Sequence, residues 1–104
     1  MVRMIAIYKT PTNREFFDKH YFETHIPLAK TLPGLIRYEV AKGGIMSTTG
    51  HKDVYCIGTL YFESLAAIKI AFASEEGKAC AVDRRILAPH DHDVQIYIFD
   101  SIEV

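Results

Sequence analysis

Two hydrophobic rhythms divide the chain. Four runs, Val2–Tyr8, Leu35–Ala41, Val54–Phe62 and Val94–Ile102, are rich in Val, Ile, Tyr and Phe, the residues that suit a pleated strand. Between the first two, Phe17, Tyr21, Thr24, Leu28 and Leu32 recur at three- and four-residue spacing, which is one face of a helix from Asn13 to Thr31. Thr12 or Asn13 can cap it, since a side-chain oxygen there accepts from the free N–H groups of the first turn. Pro27 lacks an N–H and crowds the turn before it, so the helix must kink or restart near His25. Leu32-Pro33-Gly34 stops it. A second helical stretch begins at the cap residue Ser64 and turns Leu65, Ile68 and Phe72 inward. It breaks near Ser74, restarts with Glu75 and Glu76 where a helix N-terminus favours anions, and ends near Leu87 before Pro89. Gly43–Lys52, with its glycines and hydroxyl residues, reads as a loop. The order β-α-β-β-α-β predicts an α+β, ferredoxin-like domain over residues 1–104: one antiparallel sheet with both helices on one face.

Helices on one face leave the other bare, and such strands should alternate apolar and polar residues. These do not. The first strand sets Val2, Met4, Ala6 and Tyr8 against Arg3, Ile5, Ile7 and Lys9, and the fourth sets Val94, Ile96 and Ile98 against Gln95, Tyr97 and Phe99. An uncovered apolar face of that size exceeds what soluble monomers usually expose, so a homodimer packed sheet to sheet is expected.

Composition narrows the partners. A net charge of −1 gives no bulk attraction to nucleic acid or to anionic lipid. No apolar run reaches the length of a membrane helix, and Met4–Ile7 is too short for a signal-peptide core. Cys56 and Cys80 form no disulfide framework and no CxxC pair. The expectation is a cytoplasmic protein with two reduced, buried thiols. Glycine-rich phosphate loops, GxSxG and HExxH are missing, as is a haem attachment motif, so no cofactor is expected.

The segment Phe16-Phe17-Asp18-Lys19-His20-Tyr21-Phe22-Glu23-Thr24-His25-Ile26-Pro27-Leu28, followed by Leu32-Pro33-Gly34-Leu35 and Tyr38, resembles the EthD family, associated with ethyl tert-butyl ether degradation. The resemblance implies a dimeric α/β barrel, two ferredoxin-like units with facing sheets. It also implies a wider superfamily of cofactor-free monooxygenases, isomerases, cyclases, haem-handling and stress proteins, among which the fold makes no choice. The expected function is binding of a small, mostly apolar molecule in a degradation or secondary-metabolite pathway, with proton-transfer chemistry if it is an enzyme. The competing expectation is a non-catalytic auxiliary or structural oligomer.

His25 is the first candidate for chemistry. It lies beside the apolar stripe of the first helix, where an imidazole serves either as an acid/base near neutral pH or as a polar anchor for the kinked helix end. His20, on the other edge of the stripe, is three residues from Glu23, which predicts a local surface contact. Asp83 falls among Ala79, Val82, Ile86 and Leu87 and needs a partner, Arg84, Arg85 or a histidine. It reads as a structural ion pair or as a carboxylate orienting a histidine. Phe17, Tyr21, Tyr38 and Tyr61 are the candidate ligand-binding residues of a pocket between the first helix and the sheet. His90-Asp91-His92-Asp93 has His-x-His spacing, but no third or fourth ligand is placed, so no metal is expected.

Overall fold

The strand-forming runs assemble in the predicted order. The computed structural model describes residues 1–51 and 53–104. In it, β1 (Val2–Tyr8), β2 (Arg37–Lys42), β3 (Cys56–Phe62) and β4 (Val94–Asp100) form one antiparallel sheet in the order β2-β3-β1-β4. β2 starts at Arg37 rather than Leu35, and β3 at Cys56 rather than Val54. The residues just outside still bond on one side, Ile36 N–H to the Tyr61 carbonyl (2.9 Å) and Tyr55 N–H to that of Tyr8 (2.8 Å). The hydrophobic runs therefore overshoot the ladders. The predicted loop follows β2, and its last residue, Lys52, lies outside the described residues.

The helical layer comprises α1 (Arg14–His20), a π turn (Tyr21–His25), α2 (Ile26–Ala29), α3 (Leu65–Ala73) and α4 (Glu75–Leu87). Its caps follow the sequence. Asn13 accepts from Phe16 N–H (2.9 Å), Ser64 from Ala67 N–H (3.1 Å) and Ser74 from Gly77 N–H (3.1 Å). The kink expected near His25 is the π turn. Pro27 has no N–H for the Glu23 carbonyl, and the Ile26 N–H reaches back to the Tyr21 carbonyl instead, one residue beyond the α-helical partner.

Even-numbered strand residues face the helices. Val2, Leu60 and Phe62 pack with Ala29, Leu32, Ile68, Ala71 and Cys80. Ala6, Tyr8, Cys56 and Val94 pack with Phe17, Tyr21, Leu87 and Ala88. Both thiols are free and buried, and burial raises that of Cys56 to about 11, which leaves it protonated and unreactive at neutral pH. The odd-numbered face carries Ile5, Ile7, Ile57, Tyr61, Tyr97 and Phe99, with Tyr97 53% exposed and Phe99 38%. Tyr61 is buried by its own neighbours there. Arg3 and Arg37 stack on its ring at 5.0 and 4.3 Å, and its hydroxyl donates to Glu39 (2.6 Å). Among the described residues no helix is long and apolar enough to cross a membrane.

Candidate functional site

The π turn determines which side chains of the first helix meet. In an α-helix, residues five apart point about 140° away from each other. In a π turn the hydrogen bond closes at five residues, so they come to the same side of the helix, much as residues four apart do in an α-helix. His20 and His25 are five apart, and both reach the carboxylate of Asp83 on α4. His20 Nε2 lies 2.8 Å from Asp83 Oδ1, and His25 Nδ1 lies 2.8 Å from Oδ2. Asp83 is therefore gripped from both sides. The predicted His20–Glu23 contact is replaced by this longer-range one, because the added residue of the turn swings His20 inward.

Two ring stacks hold the imidazoles. Phe17, Tyr21 and His25 stack in succession at 5.5 and 5.6 Å, and Phe16 stacks on His20 at 5.5 Å. His25 and Asp83 are both 7% exposed, whereas the His20 side chain keeps 18%. The pair thus has an inner and an outer imidazole around one carboxylate.

Burial holds the His25 imidazole below its ordinary value near 6.5, against the opposing pull of its Asp83 bond, and nearby His20 and Arg84 add to the depression. The inner ring therefore rests neutral and donates Nδ1–H to the carboxylate, leaving Nε2 as the basic nitrogen. The consequence for stability has a definite sign. Below about pH 6.5 the unfolded chain binds a proton at His25 that the folded chain refuses. The His25 contribution should lower stability as pH falls from that value toward the folded pKa. Urea midpoints of the wild type and of His25→Gln across this range should show a steeper acid loss in the wild type. Parallel curves would contradict it.

Beside the histidines stands a pair of phenols. The Tyr21 and Tyr38 hydroxyls are 2.6 Å apart, and Gly58 of β3 gives them room, since a Cβ there would lie 2.8 Å from Tyr21 Oη. Burial raises the Tyr38 phenol to about 12, so it stays protonated. Of the four predicted ligand-binding residues, Phe17, Tyr21 and Tyr38 thus share the helix side of the sheet, while Tyr61 lies on the opposite face. Phe17 and Tyr21 are fully packed and occupy much of the space between the first helix and the sheet. One opening on this side is a cleft of about 210 Å³ beyond Phe17, between the β1–α1 loop and the end of α4. Tyr8, Thr10, Phe16, Phe17, Leu87 and Pro89 are among its walls.

The His90–His92 segment takes another role. Asp91–Asp93 is a 3₁₀ turn, Asp93 accepts from His90 N–H (3.1 Å), and the two imidazoles stack at 5.4 Å. Among the described residues no three His, Cys, Asp or Glu side chains are grouped as metal ligands.

A family model for the EthD domain matches residues 9–101. An uncharacterised 11.0 kDa protein from the thcB-thcC intergenic region of Rhodococcus erythropolis is 38% identical over 84 residues, 80% of each chain. The chain belongs to the EthD family. An ethyl tert-butyl ether degradation (EthD) family protein from Bacillus halodurans has a similar structure, with a TM-score of 0.88 and 30% identity over 98% of this chain and 99% of that one. SnoaB, a cofactor-independent oxygenase from Streptomyces nogalater, shares the fold at a TM-score of 0.69 and 14% identity, over 99% and 94% of the two chains. The resemblance carried by residues Phe16 to Tyr38 is borne out, and the histidine pair of this EthD protein sits inside that stretch.

Proposed function

We propose that this EthD protein, residues 1–104 acting as one unit, is a cytoplasmic homodimer that binds a small, mostly apolar molecule. It moves a proton to or from that molecule without a cofactor, in a degradation or secondary-metabolite pathway. The observation that carries the reading is Asp83 held between two imidazoles at 2.8 Å each. His25 is the acid/base through Nε2. Asp83 orients it and stabilises the imidazolium that forms when it takes a proton, as carboxylates paired with histidine generally do. Phe17, Tyr21 and Tyr38 supply the apolar and phenolic surroundings on the helix side. Tyr61 belongs to the open face, which the second copy covers. The uncovered Ile, Tyr and Phe side chains support that pairing, and two free buried thiols fit a reducing compartment. The cofactor-independent chemistry named for SnoaB is consistent with the reaction class. The class is one in which positioning and proton transfer suffice: isomerisation, cyclisation or oxygenation of an activated compound.

The close packing of Phe17 and Tyr21 favours a second reading, an auxiliary or structural oligomer in which the same histidines only tie α4 to the first helix. Solvent-deuterium exchange into the methyl group of acetophenone separates the two. The proton-transfer reading expects the wild type to accelerate exchange and folded His25→Gln to lose roughly 100-fold of that acceleration. Equal rates in the two proteins, or no acceleration over free imidazole, would leave the structural reading.

A further inference from the structure

The rim of the cleft beyond Phe17 has spent most of its hydrogen-bonding groups. Lys9 N–H donates to the Asp93 carbonyl (3.0 Å), Thr10 N–H to Asp53 (2.9 Å), and the Asn13 side chain caps α1 through Phe16 N–H (2.9 Å). Tyr8 is different. It is only 2% exposed, packs edge-on against Phe17 (5.4 Å) and Tyr21 (5.9 Å), and its hydroxyl makes no hydrogen bond among the described residues. No sealed side-chain polar atom in the described residues lacks a partner. The sliver of Tyr8 still open therefore includes the hydroxyl, and the cleft is the opening that Tyr8 lines. Burial keeps that phenol protonated, so it is a donor in need of an acceptor.

We propose that this cleft is a ligand site whose hydrogen-bond donor is the Tyr8 hydroxyl and whose occupant is a compact, uncharged molecule bearing one carbonyl oxygen. The walls select the body. Phe16, Phe17, Leu87 and Pro89 are apolar, and about 210 Å³ is somewhat more than the roughly 150 Å³ cavity that accepts benzene. One ring with a short substituent fills it. The rim selects against net charge, since Lys9 and Asp93 stand there with opposite signs and Arg84 already donates to the Ala88 carbonyl (3.2 Å). The inference rests on the ligand-binding half of the proposed function and not on proton transfer at His25.

Acetophenone and ethylbenzene are the probes, near-isosteres with and without the oxygen, titrated into the full chain and followed by amide chemical shifts. Acetophenone should move Thr10, Phe17 and Ala88. Tyr8→Phe should weaken it roughly fivefold, the worth of one neutral hydrogen bond, and leave ethylbenzene unchanged. Because the hydroxyl has no partner among the described residues, Tyr8→Phe should also melt at the wild-type temperature. Should the variant lose its fold, the wild-type preference for acetophenone over ethylbenzene carries the test. No preference, equal weakening of both probes, or still amides at Thr10, Phe17 and Ala88 would overturn the site. Shifts confined to the neighbours of His25 would overturn it too, while leaving the ligand-binding reading intact. Shifts at the cleft with no deuterium exchange would retain the site and remove the proton-transfer reading.

Discussion

Asp83→Ala should destabilise the protein by roughly 2–3 kcal/mol, read as a lower urea midpoint. A sealed imidazole N–H without an acceptor costs about 1–3 kcal/mol. That applies fully to His25, whose side chain has little access to water, and weakly to His20, which can be rehydrated at its exposed edge. Asp83→Asn should lose roughly half as much, since it keeps the volume and can still accept from one ring. Its diagnostic effect is on titration. The carboxylate is what raises the His25 pKa against burial, so its removal should push proton uptake at His25 to still lower pH. Histidine side-chain NMR reads this directly. An unmoved His25 titration in Asp83→Asn would mean that the two groups are not coupled in solution.

Gly77→Ala should be at least as damaging, at about 3 kcal/mol, the upper end for overpacking. The residue lies in the first turn of α4, immediately after the Ser74 break. A Cβ built there would stand 2.5 Å from Phe72 Cα and 2.8 Å from the Phe72 carbonyl carbon. Those are backbone atoms, which cannot swing aside as a side chain could. α3 and α4 would have to part, opening the cluster of Ile68, Ala71 and Cys80 beneath them. The displaced α4 also carries Asp83, so the histidine pair would be disturbed at a distance. A melting temperature equal to that of the wild type would contradict this packing account.

Local chemistry in the sequence carried most of the fold. Asn13, Ser64 and Ser74 are caps because short oxygen-bearing side chains satisfy free N–H groups; Ser64 caps as expected, Asn13 rather than Thr12 caps the first helix, and the break at Ser74 is itself a cap. Pro27 announced an interruption for an equally local reason, its missing N–H. How the helix absorbs that interruption was not legible. A kink and a π turn answer the same defect, but only the π turn brings His20 to the same side as His25, whereas spacing alone pairs His20 with Glu23. Asp83 among apolar neighbours needs a partner, and the sequence offers Arg84, Arg85 or a histidine. The choice depends on how α4 packs against the first helix, which no local pattern encodes. The tyrosines show a similar limit. Their alternation along each strand is plain, yet which parity faces the helices is a tertiary matter, and Tyr61 emerged on the face opposite Tyr38. Nothing local distinguished Tyr8 either. A phenol without a partner among the described residues looks the same in sequence as the Tyr21 and Tyr38 phenols that bond to each other.

Native mass spectrometry of the protein purified from its own host reads assembly and retained ligand in one spectrum. The expected species is a dimer carrying a small neutral adduct, lost on collisional activation. A monomer with no adduct, unchanged after exposure to ketone, lactone and aromatic compounds, would contradict both the pairing of the open sheet face and the binding of a small molecule.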